Sequence, residues 1–513
     1  RNRTAPTNPQ TPGNPRNLGS SPRAANAEAV DRGAGARHHL RMLPRFSPLR
    51  TPLILLAFAL SLLLQGGCRP GSPLDASAPQ RSLLTAIRGD IVGTRGARPG
   101  WVVIHRGVIV AIHDERPDLP PGAVFIDHDG YIFPGLIDTH NHPHWNALPL
   151  WRSSKGEGTY ANRYEWQEDS EYLRQVDVAY KALREGNAVN DALKYGEVRA
   201  LVGGATAVQG SHAPPESRVL IRNLHTDYGA DAFTGDIRSL TDEQLAKHRQ
   251  GLDSGSLCRL YLHVAEGRRD DPVTREEFGI LERQGLVRPG VVVIHGIGLD
   301  ERDFRSMAEH GMYLAWSPRT NMVLYGETAD VLAARAQGVV VALAPDWTIT
   351  GSNNMLDELR YAHAYSEEHL QGALTPADLF RMATVDAAAV AGLRGFAGEI
   401  RPGFAADLLL TPRLSADPYE RLLRTEPSDI RLVMVDGVAA YGDPDLLGSL
   451  VDPSAVDDLE VQGTRKGVVV VGDLRCAPRA DQRYGDVVRT LQNVLGDALA
   501  PLLEPDAQTL PGR

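Results

Sequence analysis

From Ile132 to Leu343, short apolar runs alternate with longer amphipathic stretches, and few folds accept that order. The strand-like runs are Ile132–Ile137, Ala205–Gln209, Val219–Arg222, Leu260–Val264, Val291–Ile294, Met312–Trp316 and Val339–Leu343. Helical patterns between and after them include Glu171–Leu183, Asp242–His248, Thr274–Gln284, Glu301–His310, Thr328–Gln337 and Met355–Tyr365. Near-continuous apolar runs mark strands buried on both faces, and β-then-α order predicts a parallel sheet covered by helices. Seven strands are legible. An eighth, expected between Thr226 and Arg259, completes a (β/α)8 TIM barrel, which carries its active site at the C-terminal strand ends.

The flanks have a different texture. From about Leu83, β-type runs at Ile91-Val92, Trp101–Ile104, Val108–Ile112 and Val124–Ile126 are separated by Gly and Pro-Gly turns, which predicts a small antiparallel sheet. Gly398–Leu410 and Ile430–Gly437 return to that texture and are expected to complete a small β-sandwich domain built from both flanks. The expected organisation is a disordered or untranslated leader (1–41), a signal peptide (42–68), a linker (69–82), the N-terminal segment of the β-sandwich (83–130), the barrel (131–395), the C-terminal segment of the β-sandwich (396–445) and a C-terminal extension (446–513) with a strand pair and a helix near Asp486–Leu499.

The leader bears on location. Residues 1–41 are rich in Arg, Pro, Asn, Gly and Ala, with few large apolar residues to bury. Met42 is the first methionine and the expected initiator. Arg45 and Arg50 then form a positive region, Leu53–Leu64 an apolar one, and Gln65-Gly66-Gly67-Cys68 a small-residue ending. The apolar run falls short of the roughly 20 residues that span a membrane. Its ending resembles a bacterial lipobox in which Cys68 becomes the lipidated first residue, although Gln65 stands where such motifs carry Leu. The expectation is an exported protein, periplasmic or membrane-anchored through lipid. Of the three cysteines, Cys258 and Cys476 are left either to pair or to remain two buried thiols. A net charge of −10 and the lack of a basic stripe argue against a nucleic-acid partner.

The chemistry is carried by residues at the ends of the apolar runs. His140-Asn141-His142 follows Tyr131–Thr139, and imidazoles one residue apart on extended backbone project to one side. His263, His295 and Asp346 close three later runs. A hydrolytic metal site needs neutral imidazoles and carboxylates, an open position for water and a nearby proton carrier. The expected ligands are His140, His142, His263 and Asp346. Glu266, three residues beyond His263, falls on the following loop, in reach of a water in the site. A lone histidine at a strand end is usually structural. Four suitable residues in order, each at a strand terminus, are much harder to obtain by accident.

These motifs resemble the amidohydrolase superfamily, in the branch of cytosine, guanine and adenosine-type deaminases and triazine hydrolases. Its Pro-Gly-Leu-Ile-Asp-x-His-x-His pattern is matched by Pro134–His142, its His-x-x-Glu by His263 and Glu266, its next histidine by His295, and its Ser-Pro-x-x-Asn loop by Ser317–Asn321. Asp346 stands in Pro-Asp-Trp, where the family more often has Gly-Thr-Asp or Gly-Ser-Asp. Gly398, Pro402, Gly403, Ala406, Asp407 and Leu408 match the family's trailing motif. The resemblance covers roughly residues 83–440. It implies a metal-dependent hydrolase of a non-peptide carbon–nitrogen bond in an amide, lactam or aminated heterocycle, acting through metal-activated hydroxide. Glu266, His295 and Asp346 would be catalytic.

Two-metal members often carry a bridging lysine on the fourth strand. No lysine occurs between Lys194 and Lys247, so the resemblance implies one divalent ion, zinc first, iron or manganese as alternatives. An esterase, lactonase or dehalogenase on the same scaffold, or a non-catalytic metal- or small-molecule-binding lipoprotein, stays open. Substrate-lining candidates are His144, Trp145, Gln209, His212, Asn223, His225, Arg319 and Asn321. The aromatic stretch from Trp145 to Trp166 reads either as a stacking wall for a planar ring or as packing of its own loop.

Overall fold

The computed structural model describes residues 84–503, except 152, 156–157, 211–219, 225–229, 234–236 and 471–481. The leader, signal and lipobox-like ending lie outside the described residues, as do His212, His225 and Cys476. Among the described residues, no helix is long and apolar enough to cross a membrane.

The flanks build one sheet. Strands β1 (Leu84–Gly93), β2 (Gly96–His105), β3 (Val108–His113) and β4 (Val124–Pro134) come from the N-terminal side. The later strands β13 (Leu408–Pro412), β14 (Leu432–Val435), β15 (Val438–Gly442), β16 (Asp457–Val461) and β17 (Thr464–Val468) continue it in the order β16-β17-β15-β14-β13-β4-β1-β2-β3. The expected antiparallel sheet is therefore mixed, because β1 pairs parallel with β4. The crossover from β3 to β4 brings the chain back in the direction of β1. The strand pair of the C-terminal extension joins the same sheet through β15 and β17. Ile87, Val102 and Ile132 from one half share a core with Leu408, Leu432 and Met434 from the other.

Between these halves lie eight parallel strands in two sheets. One holds β5 (Leu136–Asp138), β6 (Ala205–Val208) and β7 (Arg222–Asn223). The other holds β8 (Ala230–Phe233), β9 (Arg259–Val264), β10 (Val291–His295), β11 (Tyr313–Trp316) and β12 (Val340–Leu343). Strand β8 falls in the interval where sequence alone left a strand unplaced. The run read as Ile132–Ile137 divides in two: its first half ends β4 in the flanking sheet, and β5 starts after Gly135. A Cβ on Gly135 would stand 2.3 Å from the Thr206 side chain, so the break needs glycine.

Alternation along these strands serves two cores. Leu260, Leu262, Val264, Val291 and Val293 face the helical layer. Tyr261, Val292, Ile294, Ala315 and Ala342 face the other way, against Ala387, Ala388 and Val390 of the helix Val385–Val390. Burial on both faces is what the near-continuous apolar runs encode. Helices start where the sequence caps them, as at Thr241, whose side chain accepts from Gln244 N in a capping box.

The flanking sheet is tied to the β5–β7 sheet by buried charge. Arg222 donates to both carboxylate oxygens of Asp407 at 2.6 and 3.0 Å, and also to Asp436. Asp407 belongs to the trailing motif, so a residue recognised by resemblance has a mechanical role here.

Candidate metal centre

His140 and His142 lie just beyond β5 on a turn rather than on regular strand. Asp138 holds that turn: one oxygen accepts from His140 N at 3.2 Å and the other from Asn141 Nδ2 at 2.6 Å. Asn141 Oδ1 in turn accepts from His142 N at 2.7 Å. The turn is stitched to the end of β12, with Asp346 N donating to His140 O and His142 N donating to Asp346 O. A Cβ on Gly210 would lie 1.6 Å from Asn141 O, so only glycine lets the chain after β6 pass this close.

His263 follows from strand parity. Tyr261 faces the inner core, and His263, two residues on, shares its side. His295 does not follow: by alternation it would turn outward with Val291 and Val293. Its φ of 69° breaks the alternation and brings the ring to 5.2 Å from that of His263. Asp346 has φ 67° and Ala265 φ 54°. Non-glycine residues in this region are uncommon, and three of them at the ends of β9, β10 and β12 mark a place where backbone conformation is held by its surroundings.

Together these bring the expected residues to one point. His140 Nε2 and His142 Nε2 lie 3.2 and 3.4 Å from one oxygen of Asp346. Among the described residues, three groups have donor atoms within 4.8 Å of one another: His140, His142 and His263; His140, His295 and Asp346; and His263, Glu266 and His295.

The donor chemistry fits a cation. Burial first, then neighbouring imidazoles, holds His142 well below the usual histidine range, and burial with Arg163 does the same for His263. Both rings are therefore neutral at pH 7. Burial pushes Asp346 up, but the surrounding imidazoles, His140 first, bring its carboxyl down to about 2. His140 Nε2, His263 Nδ1 and Glu266 Oε2 are buried and have no hydrogen-bond partner. Polar atoms left in that state ask for a ligand.

Neighbouring side chains orient the rings. Gln209 Oε1 lies 3.2 Å from His140 Nδ1, which puts the ring proton there and turns the Nε2 lone pair inward. Asn321 Oδ1 does the same for His295 Nδ1 at 2.8 Å, and Asn321 Nδ2 donates to Thr328 Oγ1 at 3.0 Å. Gln209 and Asn321, expected near substrate, are thus engaged with histidines. Arg319 is buried against the helix Met355–His369, its backbone N donating to Glu358 and its guanidinium 5.8 Å from the Tyr361 ring centre. Asn223 is buried at the end of β7. His144 sits beside Trp145 and Tyr180.

The aromatic stretch divides. Trp151, Tyr160 and Trp166 are buried and pack on one another. Trp145 is partly buried, stacks on Tyr180 at 3.8 Å and approaches Trp347, which lies 5.5 Å from His142. Sequence reasoning missed Arg163, Trp347 and Tyr325. Trp347 could have been found, since it directly follows Asp346. Nothing local in the sequence points to Tyr325.

The Amidohydrolase family profile matches residues 241–440. That segment holds His263, Glu266, His295 and Asp346. Over that segment the chain resembles the amidohydrolase family. His140 and His142 fall outside the matched segment, and the geometry brings them to the same centre. A 5-methylthioadenosine/S-adenosylhomocysteine deaminase of Desulfitobacterium hafniense is 32% identical over 264 residues, 47% of this chain and 59% of that protein. The match thus spans well under two thirds of the relative. In fold, the chain is similar to an adenosine deaminase from Xanthomonas campestris solved with bound zinc (TM-score 0.57, 18% identity, 80% of this chain and 97% of that one). It is also similar to guanine deaminase of E. coli (TM-score 0.54, 18% identity, 70% and 100%).

Proposed function

We propose that this protein is an amidohydrolase that hydrolyses a non-peptide carbon–nitrogen bond of a small molecule, in the manner of a deaminase. The observation that carries this is the convergence of His140, His142, His263 and Asp346 beside a Glu266 oxygen that accepts no hydrogen bond and has only the Arg163 charge next to it. A binding protein would need the ligands but not the glutamate. The 32%-identical relative is a deaminase by name, which favours an aminated ring over an ester.

His140, His142, His263 and Asp346 would hold one divalent ion, with zinc favoured because the similar adenosine deaminase was solved with it. A bound divalent ion supplies Lewis acidity and lowers the pKa of water to about 7. Glu266 takes the proton of the attacking water on Oε2 and passes it to the leaving nitrogen. His295 is held below the usual histidine range chiefly by burial, so it is neutral and carries its proton on Nδ1. Its Nε2 lone pair then accepts a hydrogen bond from the water. Gln209 and Asn321 fix the tautomers of His140 and His295. Trp145 and Trp347, with His144, form the wall against which a planar ring would stack.

The same reading closes β5–β12 into a barrel. Its support is the parallel bridge between Asn141 and Asp346, which joins the outer strands of the two sheets. The core shared by the two halves of the nine-stranded sheet supports a sandwich-like fold of that sheet on itself.

Chelation tests the metal directly. Turnover of an aminated purine nucleoside should vanish with a chelator and return with zinc, and metal analysis should give about one equivalent per chain. Two tightly held ions per chain would refute the single-ion site. Hydrolysis of esters but of no amide or amine would move the assignment to the esterase reading.

We also propose export with lipidation at Cys68, on the arrangement of Arg45, Arg50, Leu53–Leu64 and Cys68. Mass spectrometry of the native N-terminus should find a lipidated Cys68; a mature chain retaining residues 53–64 would refute this.

A further inference from the structure

The helix Arg163–Gln167 lies in the aromatic stretch, yet Arg163 reaches Glu266 directly and Trp166 reaches it through Tyr325. Trp166 Nε1 donates to the Tyr325 hydroxyl at 2.8 Å, and that hydroxyl donates to Glu266 Oε1 at 2.6 Å. Arg163 Nε lies 3.4 Å from the other oxygen, Oε2, which is 3.7 Å from His295 Nε2. Backbone contacts clamp the same segment in place. Arg163 N donates to Glu266 O, Arg268 N to Ala161 O and Tyr160 N to Leu324 O. Tyr164 adds a strut: its hydroxyl donates to Glu277, whose other oxygen accepts from Ala265 N, the residue before Glu266.

We propose that Trp166 and Tyr325 form a directed hydrogen-bond relay that positions the Glu266 carboxylate and leaves Oε2 as its one proton-carrying oxygen. The inference rests on Glu266 being the proton carrier of the reaction assigned above. The direction follows from the groups themselves. Indole N–H only donates, so the Tyr325 oxygen must accept from it and send its own proton onward. Glu266 Oε1 is the acceptor in reach. Burial, with the charge of Glu266, pushes the Tyr325 hydroxyl well above its usual range, so it stays a donor at any working pH. Oε1 is thereby occupied, and Oε2 has no hydrogen-bond partner. Arg163 stays charged despite its burial chiefly because Glu266 lies beside it, and it places that charge beside Oε2. Tyr325 and Trp166 are positioning residues; neither needs to touch substrate.

Two measurements test the relay, one independent of turnover. In zinc-loaded protein grown with 3-fluorotyrosine, the fluorine resonance missing from Tyr325→Phe identifies Tyr325. That resonance should move in Glu266→Gln and again in Trp166→Phe. In kinetics, Tyr325→Phe should lower kcat about tenfold, as loss of a hydrogen bond to a charged group allows, with KM and zinc content unchanged. In a Glu266→Gln background the same substitution should cost nothing further, because residues acting through one group are not additive. Trp166→Phe should show the same pattern with a smaller loss. A resonance indifferent to both Glu266→Gln and Trp166→Phe, or equal loss in both backgrounds, would overturn the relay. A protein that turned over no substrate would refute the hydrolase reading, while the fluorine spectrum would still decide the relay.

Discussion

Glu266→Gln is expected to keep the metal and lose turnover by about 10²–10⁴, the usual worth of general acid–base catalysis. Glutamine keeps the size of the side chain and can still accept from Tyr325, so the surrounding network has little reason to rearrange. What it cannot do is take a proton. Glu266 is buried at 3% exposure with one oxygen occupied by Tyr325 and the other facing the histidines. Bulk water has no easy path to replace it. Metal content by elemental analysis and steady-state turnover on the same preparation give the two numbers needed. A variant that lost its metal, yet turned over normally once reconstituted, would make Glu266 a ligand or a structural residue.

The strand ends were legible in sequence because buried parallel strands advertise themselves as apolar runs, and ligands at their C-terminal ends stand out against that background. His263 follows from simple alternation with Tyr261. His295 shows where alternation stops helping, since its left-handed backbone reverses the side it should face. Its place at the end of an apolar run, and then resemblance to a family motif, put it near the others. The turn at His140 and His142 is similar: the spacing suggested a strand, but Asp138 and Asn141 create a hydrogen-bonded turn that reaches the same result.

The partners of Glu266 were not legible. Arg163, Trp166 and Tyr325 lie 103, 100 and 59 residues from it in sequence, and no local pattern couples them. From sequence, the aromatic stretch fits either a wall or packing. It supplies packing through Trp151 and Tyr160, and it also sends Arg163 and Trp166 toward a carboxylate, a role that aromatic content does not signal. Strand β8 escaped for another reason. Ala230-Asp-Ala-Phe233 lacks the β-branched residues that mark its neighbours, and pairing with β9 sets it as a strand.

His263→Ala should lose both metal and activity, and the loss should be visible in stability. His263 is held neutral by burial, and its Nδ1 has no protein partner. Removing the ring leaves His140, His142 and Asp346, and opens a position that water can fill, so affinity for zinc should fall by more than the 10–100-fold typical of losing only an outer-shell support. A ligand that binds only the folded state stabilises it by RT ln(1 + [L]/Kd), about 4 kcal/mol at a thousandfold excess over Kd. The unaltered protein should therefore melt several degrees lower after chelation. His263→Ala should melt near the chelated value whether or not zinc is added. Thermal unfolding of both proteins, with and without chelator, separates this from a general folding defect, which would place the variant below the chelated parent. If His263→Ala gained as much melting temperature from zinc as the parent does, His263 would not be a ligand, and the ion would sit elsewhere among His140, His142, His295 and Asp346.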